Sequence, residues 1–265
     1  MPFLGLGVQL GHTLPPSGGG GGEFSNTYSL SLDGTDDYVN LGNSSDLAPS
    51  SITISAWIKV TGSVDTFNYI VSRAGSTYGS YHLRYTNANQ FNMFLGFAGN
   101  AFKADITSSS TYTLTDWHHV AFTYDQTNAK LYVDGVEEYS GAETRAIDYT
   151  ASPYGSNTHI GSTPMPYPSP SEGLIDEVAL FNSALSASDV ASLRDTSGSN
   201  PVPADISSLN PVGWWRMGDT GSDYGTSTIT NAATGSNSGG SAINGAIENG
   251  ASGNTTPTFS TNVPS

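Results

Sequence analysis

The chain of 265 residues has no cysteine, and its 8 lysine and arginine residues face 23 aspartate and glutamate residues. Without cysteine it forms no disulfide and binds no structural zinc through thiolates. Such a composition is less typical of secreted domains than of proteins assembled inside a cell. Without clustered cations it is poorly suited to neutralise nucleic-acid phosphates or to attach to an anionic membrane. Composition therefore argues against nucleic-acid and membrane partners.

Long apolar segments are also missing, so no membrane-spanning helix is predicted. Residues 1–22 lack a basic start, and glycines interrupt their apolar residues, unlike a secretory signal peptide. We therefore expect synthesis in the cytoplasm. The run Gly18–Gly22 makes this segment a flexible linker by composition. Two interpretations stay open: a disordered tail, or an arm that docks onto a partner.

Alternating apolar residues predict β-strands through much of residues 23–196. In Ser51–Val60 every second residue is apolar and shares one face, while Trp57 lies on the other. Further strands are predicted at Trp117–Tyr124 and Gly173–Phe181. The pair Asp134-Gly135 suits the two positive-φ positions of a type I′ hairpin turn.

One short helix is predicted near the end of this region. Ser186 and Asp189 have the spacing of a capping box, and Leu185 and Val190 take the hydrophobic-staple positions. Residues 197–265 follow, with a short apolar strand at Gly213–Met217 and then mostly glycine, serine and asparagine. They hold too few apolar residues for a core of their own, so they are expected to pack on the preceding domain or on a partner.

Four motifs occur in one order: YSLSLDGTDDYVNLG at Tyr28–Gly42, ITISAWIKV at Ile52–Val60, DWHHVAFTYD and KLYVDG within Asp116–Gly135, and GLIDEVALFNSALSASDV at Gly173–Val190. Together they resemble the laminin-G-like, concanavalin A-like jelly-roll family over residues 27–195. The resemblance implies an all-β fold, a two-sheet antiparallel jelly-roll sandwich with one short helix over residues 23–196. Residues 1–22 would extend from it as an arm, and residues 197–265 as a C-terminal extension.

The resemblance also implies a calcium site, because Asp176 lies near the calcium position of many relatives. Calcium takes six to eight oxygen ligands. The first and last strands of such a sandwich can lie side by side, so Asp33, Asn43 and Asp176 are the candidate ligands. The alternative is that Asp33 is a turn residue and Asp176 a hydrogen-bonded buried carboxylate.

Catalytic chemistry is not predicted, although the fold hosts glycosidases. Glycoside hydrolysis needs two carboxylates on either side of the scissile bond. The pairs Asp36-Asp37, Glu137-Glu138 and Asp176-Glu177 are neighbours, whose side chains would point to opposite faces of a strand. The same argument separates His118 from His119, of which one is expected inside and the other exposed. We therefore predict that the chain is not an enzyme.

Aromatic residues on loops are the candidate ligand-binding groups, since such side chains would stack on sugar rings. These are Tyr78, Tyr81, Tyr154 and Tyr167, the last within the proline-rich segment Pro164–Pro170. The alternative is that they fill the core and rim of the sandwich.

Two functions are compatible with these features. The first is a virion structural protein of a phage, as a capsid decoration, fibre or tail component. Its arm would bind capsid or tail proteins, its copies would form a homo-oligomer, and its sandwich would contact host-surface glycans. The second is a secreted or cell-surface, calcium-dependent carbohydrate-binding module, which the lack of a signal peptide opposes.

Overall fold

The computed structural model describes residues 24–75, 79–98, 103–151, 153–165, 170–220, 223–224, 227–248 and 258–265. The expected arm, residues 1–22, lies outside the described residues, as do Tyr78 and Tyr167.

Strands make up most of the regular structure. In chain order they are β1 Ser29–Asp33, β2 Tyr38–Asn40, β3 Ile52–Val60, β4 Asn68–Arg73, β5 Tyr81–Tyr85, β6 Phe91–Gly96, β7 Lys103–Thr107, β8 His118–Tyr124, β9 Asn128–Val133, β10 Val136–Ala142, β11 Thr158–Ile160, β12 Glu172–Phe181, β13 Arg194–Asp195, β14 Val202–Pro203, β15 Gly213–Trp215, β16 Thr228–Ile229, β17 Gly245–Glu248 and β18 Thr258–Ser260. One α-helix, α1, spans Ala187–Ala191, and short 3-10 turns lie at Ser45–Leu47, Ser207–Leu209 and Gly240–Ile243.

These strands form two large antiparallel sheets and one small ribbon. The first sheet has the order β10-β9-β8-β3-β12-β1-β18, with β15 also paired to β12. The second has the order β16-β17-β2-β11-β4-β5-β6-β7, and β13 pairs with β14 separately. The prediction of a two-sheet antiparallel jelly-roll sandwich with one short helix is confirmed.

The main core lies between the two sheets and is built from alternate side chains. On β3 the five residues of the predicted inner face are all in this core: Ile52, Ile54, Ala56, Ile58 and Val60. The second sheet contributes Val39, Leu83 and Phe91 among others. Because side chains alternate along a strand, the neighbouring residues of each strand face outward.

The strand β12 pairs with β3 along one side, and two different strands share its other side. Its first part pairs with β1, from Glu172 opposite Asp33 to Ile175 opposite Leu30. Its second part pairs with β15, from Val178 opposite Trp215. Between them lies a β-bulge, where Glu177 has a positive φ of 46°. An extra residue at a bulge shifts the register and re-aims the side chains around it.

The outer face of the first sheet carries a second, smaller hydrophobic layer. The helix α1 begins with the predicted capping box of Ser186 and Asp189. Val190 and Leu185 pack on Ala121 and Tyr132 of the sheet. Farther along, Trp214 packs with Leu193, Ile206, Ala179, Phe181 and Ala233. The described segment 185–214, together with Ala233, thus covers part of this face.

The outermost strand of the first sheet, β10, is exposed along most of its length. It joins β9 through Asp134 and Gly135, whose φ angles are 51° and 80°. Two positive φ values fit the predicted type I′ turn. A second bulge interrupts β10 between Glu137 and Tyr139.

Residues 197–265 add strands to both sheets: β15 and β18 to the first, β16 and β17 to the second. Trp215 lies in the main core, and its indole nitrogen donates to the Ile243 carbonyl at 2.9 Å. No helix within the described ranges is long and apolar enough to cross a membrane.

Replacing Trp215 with alanine tests whether this C-terminal region stabilises the sandwich. The side chain is only 1% exposed, and removing a buried aromatic ring costs about 3–5 kcal/mol of unfolding free energy. Urea unfolding measures it. Val136→Ala is the control, because Val136 is 60% exposed and such changes stay within about 0.5 kcal/mol. Equal effects of the two substitutions would contradict the core position of Trp215.

Candidate functional site

Three carboxylates meet in the turn between β1 and β2. One oxygen from each of Asp33, Asp36 and Asp37 lies within 4.8 Å of the others. The turn is held by backbone donors: the Thr35 N–H donates to Asp33 Oδ1 at 2.8 Å, and the Asp33 N–H donates to Asp37 Oδ2 at 3.1 Å. Gly34 takes a positive φ of 76°, which permits the tight bend. We call these three aspartates the acidic turn.

Asp37 is the buried member of the acidic turn. Only 2% of the residue is exposed, and its Oδ1 has no hydrogen-bond partner in the described structure. Burial, together with the charges of Asp33 and Asp36, raises the pKa of Asp37 from 3.8 to about 6. An ionised, unpartnered buried oxygen is costly unless a cation compensates it. Calcium binds carboxylate oxygens in clusters of this kind, so Asp33, Asp36 and Asp37 fit a calcium ion.

The predicted ligand set Asp33, Asn43 and Asp176 does not assemble. The first and last strands of the domain do lie side by side, but Asp33 is opposite Glu172. Asp176 is four residues farther along β12, about 13 Å at the usual rise. Its Oδ2 accepts from the Asn26 amide at 2.9 Å. Asn43 is exposed, and its carbonyl accepts from Arg73 at 3.4 Å. Only Asp33 belongs to the acidic turn.

The pair Asp176 and Glu177 also differs from the prediction, because the bulge places both carboxylates on the outer side of the first sheet. Glu177 accepts from the Trp214 indole at 2.5 Å and pairs with Arg216 at 3.0 Å. Asp176 accepts from the Glu177 N–H at 2.8 Å. Burial raises the pKa of both groups. Because these partners occupy the carboxylate oxygens, Asp176 and Glu177 have a structural role in joining the C-terminal region to the sheet.

A cleft of about 420 Å³ opens on the outer face of the second sheet. Asn40 of β2 and His159 of β11 lie directly opposite each other, and Tyr38 stacks on His159 with ring centroids 4.4 Å apart. Burial lowers the pKa of His159 to about 4, so the ring is neutral at pH 7. The lining of this cleft also includes Thr35, Asp36, Asn157, Ser162, Thr163, Pro164, Met165 and Pro170. We call it the neutral cleft, since Asp36 is the one acid, and no lysine or arginine is present, among its described lining residues.

The neutral cleft combines an aromatic surface with amides and hydroxyls. This is the pattern of small-ligand sites, which are concave and hold a few placed polar groups. Asp36 belongs both to this cleft and to the acidic turn, so a cation bound at the turn would border the cleft. Both ends of the proline-rich segment 164–170 line the cleft, although Tyr167 itself lies outside the described residues.

The predicted ligand-binding tyrosines lie in different environments. Tyr81 is fully buried in the main core, and its hydroxyl donates to the Leu47 carbonyl at 3.0 Å, so its prediction as a stacking residue is wrong. Its side chain points inward because residues 81, 83 and 85 of β5 face the core. Tyr154 is 45% exposed in the segment before β11 and stays a candidate. Tyr78 lies outside the described residues.

The two histidines of β8 face opposite sides, as expected, but neither is exposed. His118 contacts Phe91 and Tyr112, and its Nδ1 lies 2.7 Å from Asp134 Oδ2. His119 lies under Trp57, and burial lowers its pKa to about 3. The layer over the first sheet buries the second histidine, which is why the prediction of exposure is wrong.

Comparison with models of protein families assigns the chain to a family. The model of the concanavalin A-like lectin/glucanases superfamily matches residues 33–191, more than half of the chain. The chain therefore belongs to this superfamily, which confirms the resemblance found in its motifs. A search of curated proteins finds no significant match.

Solved structures share the fold at low sequence identity. A Bacteroides ovatus protein named for carbohydrate binding is 19% identical with a TM-score of 0.63, and the alignment covers 89% of this chain but 60% of that one. A heptameric SAP-like pentraxin from Limulus polyphemus is 15% identical with a TM-score of 0.50, covering 66% of this chain and 84% of that one. Domain 4 of AbnA, an extracellular arabinanase from Geobacillus stearothermophilus solved with arabinotriose, is 22% identical with a TM-score of 0.50 and coverages of 62% and 75%. This chain thus spans less than two thirds of the first of these structures.

Sequence reasoning missed Asp36, Asp37, Tyr38 and His159 as site residues. The first three stand in the motif LDGTDDYV, which by itself predicts only a turn between two strands. A turn with three acids followed by an aromatic residue was the available signal. His159 carried no local signal, because only the pairing of β11 with β2 brings it against Tyr38.

Proposed function

We propose that this chain is a non-enzymatic glycan-binding module whose ligand is a neutral sugar bound in the neutral cleft. One observation carries the proposal: Tyr38, fixed by stacking on His159, lies among amide and hydroxyl groups in a concave site. A sugar ring offers an apolar face for an aromatic ring and hydroxyls for amides and carboxylates. The Bacteroides ovatus and arabinanase-domain structures named above support the choice of a sugar as ligand.

The absence of catalysis is part of the proposal. A glycosidase holds two carboxylates across an open site where the bond is cleaved. Here Asp36 alone reaches the neutral cleft as a described acid. Asp176 and Glu177 lie near one another, but Asn26, Trp214 and Arg216 occupy their oxygens.

Tyr38→Ala should weaken binding of a neutral oligosaccharide about tenfold, because one aromatic contact contributes up to about 1.5 kcal/mol. A glycan array identifies the best neutral ligand, and isothermal titration then compares the variants. Tyr38→Phe keeps the ring and should bind nearly as well as the unmodified protein. Tyr139→Ala is the control, since Tyr139 lies on the far edge of the first sheet. Equal losses in Tyr38→Ala and Tyr139→Ala, or an array without any neutral ligand, would refute this function.

We propose further that the acidic turn binds calcium. Asp33, Asp36 and Asp37 supply the carboxylates, and the unpartnered Oδ1 of Asp37 supports the assignment. The ion would compensate three close negative charges and would fix the turn that carries Asp36 and leads into Tyr38. Calcium would then stabilise the fold and shape the neutral cleft.

Calcium should raise the melting temperature at pH 7 relative to EDTA. Saturation at about 100-fold over Kd contributes ~2.7 kcal/mol, or roughly 5–10 °C for a chain of this size. Asp37→Asn should abolish the shift, whereas Asp65→Asn, which alters an exposed acid, should keep it. Equal melting temperatures in calcium and EDTA would rule out the site.

The pH dependence has a definite sign. Without calcium, the raised pKa of Asp37 makes its contribution to stability fully present below its ordinary value of 3.8, and this contribution is lost as the pH rises through about 6. Calcium needs the ionised carboxylate, so its stabilisation grows over the same interval. The calcium-induced shift should therefore be smaller at pH 5 than at pH 7.

For the biological setting, we propose a virion structural protein that displays this module, as a capsid decoration, fibre or tail component. The glycine-rich segment 1–22 supports it, because a linker of this type joins a displayed domain to an assembled body. Capsid or tail proteins, further copies of the chain and host-surface glycans would be its partners. Co-sedimentation with purified particles tests it. A monomer that stays in the supernatant would favour the alternative of an extracellular carbohydrate-binding module.

A further inference from the structure

Cations are scarce in this chain, so the position of each one is informative. Five of the eight form ion pairs with carboxylates, namely Arg84, Lys103, Lys130, Arg145 and Arg216. Within the described residues, Lys59, Arg73 and Arg194 form no such pair. Arg73 is buried, donates to Thr158 and lies near the Tyr149 ring. The other two line one cleft.

This cleft, of about 450 Å³, lies on the outer face of the first sheet, where α1 and the layer behind it leave the sheet open. Trp57 and Lys59 reach it from β3, since they alternate with the core residues Ile58 and Val60. Trp117 lies beside them, and its indole nitrogen donates to Asn262 Oδ1 at 3.0 Å, which fixes the ring. Arg194 enters from β13. We call it the cationic cleft.

Asp116 and Asp134 also border this cleft, but neither side chain forms an ion pair with Lys59 or Arg194. Asp134 Oδ2 pairs with His118 Nδ1 at 2.7 Å, and Oδ1 accepts the His119 N–H at 3.0 Å. Arg194 donates through Nη1 to the backbone carbonyl of Asp134, and its Nε is buried without a partner. Asp116 is exposed at the rim. Lys59 and Arg194 thus have no ion-pair partner among the described side chains, although Asp134 lies close enough to attract Arg194. Trp57, Trp117 and Ser265 line the cleft beside them.

We propose that the cationic cleft is a second binding site, for a sugar residue that carries a carboxylate. The carboxylate would bind between Lys59 and Arg194. The sugar ring would lie against Trp117, with its hydroxyls toward Asp116 and Asn200. A charge-assisted hydrogen bond from an arginine or lysine nitrogen to a carboxylate is stronger than one between neutral groups. The site belongs to the other sheet and does not depend on sugar binding in the neutral cleft.

Isothermal titration at low ionic strength tests the proposal with trigalacturonate and sialyllactose, and with galactotriose and lactose as neutral counterparts. At least one acidic sugar should bind. Lys59→Gln and Arg194→Gln should each weaken that binding about tenfold or more, since a hydrogen bond to a charged group contributes about 1.5–3 kcal/mol. Added salt should weaken it as well. Arg194→Lys keeps the charge and should retain most of the affinity, and melting curves confirm that each variant folds.

Two variants distinguish binding in the cationic cleft from non-specific attraction and from binding in the neutral cleft. Lys130→Gln removes the same charge from the same sheet outside the cleft and should leave binding unchanged, as should Tyr38→Ala in the neutral cleft. Equal loss in Lys130→Gln would show non-specific attraction and overturn the proposal. Loss in Tyr38→Ala but not in Lys59→Gln would overturn it by placing the acidic sugar in the neutral cleft. Failure of both acidic sugars to bind, or equal binding of an acidic peptide, would also overturn it.

Discussion

The pairing of β12 is the constraint on which the rest of the structure depends. One side of this strand pairs with β3. The other side pairs with β1 before the bulge and with β15 after it. Because the bulge puts Glu177 on the outer side, its carboxylate meets Trp214 and Arg216 of the C-terminal region. The same register places Asp33 at the end of β1, where the chain turns into β2. One strand therefore anchors the C-terminal region and positions the acidic turn.

Features that depend on neighbouring residues could be predicted from the sequence. The inner face of β3, the turn at Asp134-Gly135 and the capping box of α1 all follow from local periodicity and backbone preference. Features that depend on register could not. Asp33 and Asp176 were expected to meet because their strands are neighbours, yet their separation is set by which residues pair. The side on which Glu177 lies was mistaken because nothing local announces a bulge.

The candidate site shows the same division. The sequence contains the acidic turn and Tyr38 as one continuous motif, so their proximity was available in advance. The stacking of Tyr38 on His159 joins residues more than a hundred positions apart, and only the second sheet brings them together. The burial of Tyr81 follows from the face of β5 on which it lies, which its isolated position in a loop-like sequence did not reveal. The sequence alone therefore did not distinguish aromatic residues of the core from aromatic residues of the candidate site. That distinction required the fold.

The exposed strand β10 has a consequence for crowding. A free edge strand is a template for pairing with another chain, and proteins protect such edges with charge and bulges. Here Glu137 and Glu138 stand on the edge strand, and a bulge interrupts its ladder between Glu137 and Tyr139. A strand from a second copy would meet Glu138, the ion pair of Glu137 with Lys130, and a broken register. Many copies held close together would therefore remain separate along this edge, and assembly would have to use other surfaces.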